Sequence, residues 1–303
     1  MTRKTIEPGI GKYIDPMVDY GFKYIFKESG KKQLLVRPLN EIFGLNIVDI
    51  TIDDSEQLGH TQEDRKACFD LFCKTADGRQ FVIEVQIAQQ RHFLERALFY
   101  TTFPISKSAP KDKDEREKWD FNYPPVFFLG LLNFNLRHLD PSRADKDQFI
   151  HLFTLRDEKT GELMSDRLRF AFLEVQRFDK KKEDCHTFED RFLFILKNLP
   201  NFAEEPELWD DPYFTAMIQE AEYANMTDAQ QMAYLRSLMA RWDYANTIDF
   251  AREEGREEGR EEGRKEERRE LTAEIARRML EKEFPAEVIA ELTGLAEEQI
   301  AAL

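Results

Sequence analysis

The sequence predicts an α/β fold followed by an α-helical C-terminal region. Three observations predict it: apolar residues at helical spacing near both ends of the chain, three short β-rich runs after Ile47, and a continuous apolar run from Pro125 to Phe134. Phe22, Ile25 and Phe26 recur at helical spacing, Gly30 reads as a break, and Leu34, Leu35, Leu39, Ile42 and Phe43 form a second stretch. The runs IVDITI, ACFDLFCK and QFVIEVQIA then read as strands, with Asp77-Gly78 between the last two as a hairpin signal.

Helical spacing returns between Gln89 and Phe103 through Phe93, Ala97 and Tyr100, and the run from Pro125 to Phe134 suits a strand covered on both faces. The order is therefore α, β, β, β, α, β, and the charged stretch KSAPKDKDEREKWD reads as a solvated loop. Beyond Asn135, FIHLFTLRD is strand-compatible, whereas LRFAFLEVQRF fits a strand or a helix. From Phe188 to Tyr244 the pattern is helical, with Phe192, Ile195, Leu196 and Leu199 on one stripe that Pro200 ends. The REEG repeat over 252–263 has a period of four. Each glycine costs a helix about 1 kcal/mol against alanine, which points to a flexible, partly helical tether, with a helix packed through its glycine face as the alternative. The tail EVIAELTGLAEEQIAAL has the length and central glycine of a helix-turn-helix, but its second helix offers Glu297, Glu298 and Gln299 where a DNA reader needs basic or amide groups. Docking or oligomerisation is the favoured role for that tail.

Composition narrows the function further. The chain has 303 residues, 44 Lys and Arg against 59 Asp and Glu, and a formal charge of −15. A surface that grips phosphates throughout is excluded, so any nucleic-acid contact is local. The longest dense apolar run, Val126 to Leu132, is far short of the roughly 18 residues that span a bilayer, and the N-terminal stretch lacks the apolar core of a secretory signal. A cytoplasmic location is expected. Cys68, Cys73 and Cys185 fit no disulfide framework or zinc knuckle, and the five histidines show no zinc-hydrolase spacing.

The hairpin holds the chemistry. Glu84 and Gln86 lie two residues apart on one strand and share a face, a polar pair inside an apolar run. A two-residue Asp77-Gly78 turn would set Asp70 opposite Val85, facing away from Glu84. A three-residue Ala76-Asp77-Gly78 turn, with Gly78 left-handed, would set Asp70 directly opposite Glu84 with Cβ atoms about 5 Å apart. Two carboxylates at that distance repel unless a cation lies between them, and hard divalent ions prefer such oxygen ligands. The alternative is a pair of exposed edge residues bonded to Lys66 or Arg79.

Asp70, thirteen intervening residues and Glu84-Val85-Gln86 resemble the Asp…(Asp/Glu)-X-Lys signature of the PD-(D/E)XK nuclease superfamily, with Gln in place of Lys. DYGFKYIF at 19–26, RHFLERALFYTT at 91–102, VFFLGLLNF, the AREEG repeat and the IARRML…VIAELTGL tail make the sequence similar to the Rpn family of recombination-promoting nucleases, also described as PD-(D/E)XK nuclease family transposases. The resemblance implies a restriction-endonuclease-like mixed sheet flanked by helices and a DNA endonuclease using Mg²⁺ or Mn²⁺. It implies metal ligation by Asp70, Glu84 and the Val85 carbonyl, with Asp19 either completing the shell or serving as a helix N-terminal carboxylate. Gln86, usual in that family, would orient water or a phosphate, since an amide takes no proton near neutral pH. Lys23, Arg91, Arg96 and Tyr100 are the DNA-contact candidates, Arg96 alternatively neutralising Glu84. The implied organisation is a nuclease-like core at 1–180, a helical subdomain at 181–250, a charged glycine-repeat linker at 251–270 and a small helical tail at 271–303. A homo-oligomer through the C-terminal helices is the expected assembly. A catalytically silent nuclease-fold assembly protein is the competing reading.

Overall fold

The computed structural model describes residues 11–53, 69–110, 114, 118–136, 147–204, 206 and 208–303. Lys66, Cys68, His60 and His138 lie outside the described residues. Two compact units divide between Met239 and Ala240.

The first unit is built on a six-stranded mixed sheet of order β1-β2-β3-β4-β6-β5, comprising β1 (Ile50–Asp53), β2 (Leu71–Thr75), β3 (Gln80–Gln86), β4 (Val126–Leu132), β5 (Ile150–Arg156) and β6 (Leu163–Glu174). β4 pairs in parallel with β3 and β6, while the outer pairings are antiparallel. Every residue of β4 is buried, as a central parallel strand covered on both faces requires. LRFAFLEVQRF, open between strand and helix in sequence, contributes most of its apolar run to β6.

One sheet face carries Phe72, Val82, Phe128, Leu132, Phe170 and Phe172, packed on Phe93 and Ala97 of the helix α3 (Phe93–Lys107). The other face carries Leu71, Phe81, Ile83, Val85, Phe127, Leu129 and Leu173. It packs on α1 (Asp19–Lys23), the π-helical turn Tyr24–Glu28, α2 (Gln33–Phe43), α4 (Phe188–Asn198) and α5 (Pro212–Glu220). Phe192 of α4 meets Phe26 edge to face, and Arg37 of α2 makes a two-pronged bond to Asp211, the N-cap of α5, at 2.7 and 2.9 Å. The helices placed by sequence at 181–250 as a separate subdomain thus share one core with the N-terminal helices, and the unit boundary falls at 239 because that is where the shared core ends.

The glycine repeat also departs from expectation. It lies inside one continuous helix, α6 (Asp228–Glu281), and its glycines have no atom within 4 Å of where a Cβ would stand. Arg and Glu, which fill the other repeat positions, are good helix formers, and pairs such as Glu261 with Lys265 just beyond the repeat add a few tenths of a kcal/mol each. In the second unit, Ala276 of α6, Ile289 of α7 (Ala286–Thr293) and Ile300 of α8 (Glu297–Ala301) form a small core.

Helix α1 is seated by a close approach. A Cβ on Gly21 would stand 2.1 Å from the Asp15 carbonyl oxygen, and the neighbouring backbone is held by Tyr20 N–H donating to Ser237 Oγ and Asp15 N–H donating to the Tyr234 hydroxyl. Gly21→Ala gains about 1 kcal/mol of helix propensity but must displace that carbonyl, an overpacking cost of about 3 kcal/mol or more. The variant is expected to unfold at a lower urea midpoint; a midpoint at or above that of the parent would show that the Asp15 turn moves aside freely.

Candidate active site

The β2–β3 hairpin takes the three-residue turn. Thr75 N–H donates to Arg79 O and Gly78 N–H to Thr75 O, both at 3.0 Å, with Gly78 at φ +88° in the conformation that glycine adopts without strain. The register pairs Lys74 with Gln80 and Leu71 with Ile83, which sets Asp70, one residue before β2, opposite Glu84. Asp70 Oδ2 accepts the Val85 N–H at 2.6 Å, so the carboxylate is anchored to the strand that carries its partner.

Glu84 is buried within β3. Its Oε2 accepts from Gln86 Nε2 at 2.9 Å, while among the described residues Oε1 has no hydrogen-bond partner. Gln86 Oε1 accepts from Arg96 Nη2 at 2.7 Å, and the other terminal nitrogen of Arg96 is bonded to Gln90. The guanidinium lies over the rings of Phe93 and Tyr100, and Tyr100 meets Phe69 edge to face. Helix α3 therefore presents Arg96 to the strand that carries Glu84.

Asp19 approaches from the other side. Desolvation pushes the Asp70 carboxyl well above the usual carboxylate range, the Val85 N–H opposes this, the charge of Asp19 and a hydrogen bond to it add to the rise, and Lys23 pulls it back. Glu84 is likewise raised, first by desolvation and then by the charge of Asp70, against the pull of Arg96 and Gln86. Lys23 Nζ is 2.8 Å from Asp19 Oδ1, one turn along α1. Lys23 is thus paired with Asp19, Asp70 is tied to the Val85 N–H, and Glu84, Gln86 and Arg96 are joined in turn by hydrogen bonds. Arg91 is exposed in the turn before α3 and is not joined to these residues by any hydrogen bond among the described residues.

Among the described residues, no group of three or more His, Cys, Asp or Glu side chains is placed to hold a metal ion by itself. The pair Asp70 and Glu84 nonetheless fits a hard cation. Its carboxyls are raised by desolvation and, at Glu84, by the neighbouring charge, and Glu84 Oε1 has a lone pair with no donor. Mg²⁺ is commonly held by one or two carboxylates plus water and phosphate oxygens, so two suffice.

Sequence reasoning missed that the tripeptide Glu-Val-Gln occurs twice, as 84–86 and as 174–176. Both glutamates are buried on adjoining parts of the sheet, since Gln86 pairs with Leu132 and Leu132 with Glu174. Glu174, however, is satisfied: it accepts the Leu136 N–H at 2.5 Å and Arg177 Nε at 2.6 Å and lies 3.2 Å from His151 Nε2. Desolvation raises its carboxyl, but the hydrogen bonds from His151, Leu136 and Arg177 outweigh this and hold it below its usual range. Having an acid opposite distinguishes Glu84 in sequence, and having an oxygen without a donor distinguishes it in structure.

A mixed sheet flanked by helices, with an acidic pair on a hairpin whose second strand enters the parallel core, defines a nuclease-type domain of the PD-(D/E)XK class. Residues 16–251 match the model of the PD-(D/E)XK nuclease family transposases, and the chain belongs to that family. Residues 269–303 match a second model, the C-terminal HTH domain of the Rpn/YhgA-like nuclease family. No curated protein and no solved structure matches the chain. No helix among the described residues is long and apolar enough to cross a membrane.

A carboxyl raised on folding binds protons more tightly in the native state than in the unfolded state, so its contribution to stability falls as pH rises above about 4 towards its folded value. In EDTA at pH 8, Asp70→Asn keeps an acceptor for the Val85 N–H and removes the repulsion, and it is expected to raise Tm by about 2–6 °C, an advantage that shrinks towards pH 5. A Tm equal to or below that of the parent at pH 8 would show that the pair is not strained.

Proposed function

We propose that this protein is a divalent-cation-dependent DNA endonuclease that hydrolyses phosphodiester bonds, linked to recombination or mobile elements, with Mg²⁺ or Mn²⁺ as cofactor. The observation that carries the reading is the buried Glu84 oxygen without a donor, facing a second raised carboxyl across the hairpin.

Asp70, Glu84 and the Val85 carbonyl hold the cation, with Asp19 reaching the site past Asp70. When bound, the cation supplies Lewis acidity to the phosphate and to the attacking water. Gln86 is fixed by hydrogen bonds to Glu84 and Arg96, which leaves its amide to orient water or phosphate without taking a proton. Arg96, Arg91, Tyr100 and Lys23 contact the DNA backbone locally, as a chain of net charge −15 requires. The helical tail is assigned to docking, including a homo-oligomer through the C-terminal helices.

Plasmid nicking tests this. Purified protein is expected to nick in Mg²⁺ or Mn²⁺ and not in EDTA, and Asp70→Ala is expected to lose nicking by about 1,000-fold or more while melting as a folded protein. Undiminished cleavage by the folded variant removes Asp70 from the mechanism. Absence of nicking by the folded parent with either ion favours the assembly-protein reading.

A further inference from the structure

Gln86 joins two groups of opposite charge. Its Nε2 donates to the Glu84 carboxylate at 2.9 Å, and its Oε1 accepts from Arg96 Nη2 at 2.7 Å. An amide suits such a bridge because it is a donor at one end and an acceptor at the other. Turned over, it would set its carbonyl against a carboxylate and its NH₂ against a guanidinium. A lysine at 86 would bring an ammonium up to Arg96, and a glutamate would bring a further carboxylate up to Glu84. The residue at 86 is therefore matched to Arg96 as closely as to Glu84.

Arg96 is itself held from several sides. Its guanidinium carbon stands 5.6 Å from the centre of the Phe93 ring and 5.8 Å from that of Tyr100, on the neighbouring turns of α3. Its other terminal nitrogen donates to Gln90 Oε1, in the segment between β3 and α3. Tyr100 meets Phe69 edge to face at 5.1 Å, and Phe69 is a buried residue immediately before Asp70. The guanidinium thus has a set place between two rings, one of them seated against the segment that carries Asp70. A planar fork fits this place, since it stacks on rings through its faces and donates along its edge.

We infer that Arg96 is a positioning residue of the nuclease site, which acts through Gln86 by setting the direction of its amide. The assignment rests on the nuclease reading above and deepens it, giving Arg96 a task inside the site in addition to its contact with the DNA backbone. With one N–H bonded to Glu84 and one lone pair bonded to Arg96, the amide keeps a second N–H and a second lone pair, each in a fixed direction. The N–H can hold a phosphate oxygen and the lone pair a water, and Gln86 takes up no proton in doing so. The terminal torsion of a glutamine is broad and has no strong preference of its own. Without Arg96 the carbonyl end loses its donor, the amide turns more freely, and water and phosphate lose their common reference.

The test is a double-mutant cycle in the full-length protein: parent, Arg96→Met, Gln86→Met and the two combined, with Arg96→Lys beside them, each shown to be folded by its melting curve. Methionine keeps an unbranched chain for the rings to pack on and removes the charge and the donors. Single-turnover nicking in Mg²⁺ at saturating protein reads the chemical step. The side-chain amide signal of Gln86, in isotope-labelled protein with EDTA and no DNA, reads the amide alone; its absence from Gln86→Met assigns it. Arg96→Met is expected to slow nicking about 100-fold in the parent and no more than about threefold in the Gln86→Met background, because the residue through which it acts is gone. Arg96→Lys is expected to slow nicking only about tenfold, since an ammonium can still donate to Gln86 but lacks the fork that also reaches Gln90. The Gln86 amide signal of Arg96→Met is expected to move towards those of exposed glutamines. An equal loss of rate in both backgrounds makes Arg96 a DNA contact alone and overturns the assignment while leaving the nuclease reading intact. A parental rate in Arg96→Met, or an amide signal that does not move, also overturns it. A folded parent that nicks with neither Mg²⁺ nor Mn²⁺ overturns both readings.

Discussion

The repulsion between Asp70 and Glu84 across the β2–β3 hairpin is the constraint on which the rest of the site depends. A buried carboxylate costs several kcal/mol unless it is paired, and a second one facing it adds to the cost. Glu84 nonetheless lies in a strand whose neighbours Val82, Ile83 and Val85 are fully committed to the two cores. The apolar residues flanking it hold the strand in register, and the register holds the acids together. A one-residue slip would turn Glu84 to the opposite face and relieve the repulsion. It would also turn Phe81 and Ile83 out of one core and Val82 out of the other, a loss far greater than the electrostatic gain. Hydrophobic burial thus fixes an electrostatically unfavourable arrangement in place.

The two helices that meet the hairpin address it from opposite sides with opposite roles. Helix α3 packs on one sheet face through Phe93 and Ala97 and delivers Arg96 to Gln86, which in turn bonds Glu84. Helix α1 belongs to the core on the other face and delivers Asp19 and Lys23 to Asp70. Each acid of the pair is consequently flanked by one cation, Lys23 for Asp70 and Arg96 for Glu84. Arg96 is held by hydrogen bonds to Gln86 and Gln90 and by the rings of Phe93 and Tyr100, and Lys23 is paired with Asp19 one turn before it.

Much of this was legible in the sequence, and the remainder has definite physical causes. The apolar run of β4, the hairpin and the helix α3 follow from periodicity, because burial on two faces, one face or one stripe leaves different patterns. Sequence narrowed the hairpin register to two turns and could not choose between them, since both place a glycine at a turn position with positive φ; the pairing of Lys74 with Gln80 and the bond from Thr75 N–H to Arg79 O decide in favour of three residues. The bond from Arg96 to Gln86 was beyond reach, because helical spacing tells which residues share a face and not what lies opposite that face. The two Glu-Val-Gln tripeptides look alike for a related reason: both end apolar strands, and only the partners brought by other elements, His151 and Arg177 for one and Asp70 for the other, separate a satisfied acid from a strained one. Helix α6 was misjudged because glycine's propensity cost was weighted above the strong helix formers between the glycines.

The helix-turn-helix match at the C-terminus and the charge it carries pull in different directions. A helix that reads DNA must first tolerate the phosphates, and affinity for a duplex comes chiefly from Lys and Arg that displace counterions. Helices α7 and α8 contain Glu287, Glu291, Glu297 and Glu298 and no lysine or arginine. All the basic residues of this unit but Lys282, Arg277 and Arg278 among them, lie on α6, and Arg278 is bonded to Glu274. A short second helix with two adjacent acids at its start gains from its own dipole and loses at a phosphate backbone. The fold of this unit matches a DNA-reading motif, but its electrostatics favour a surface that is not a polyanion.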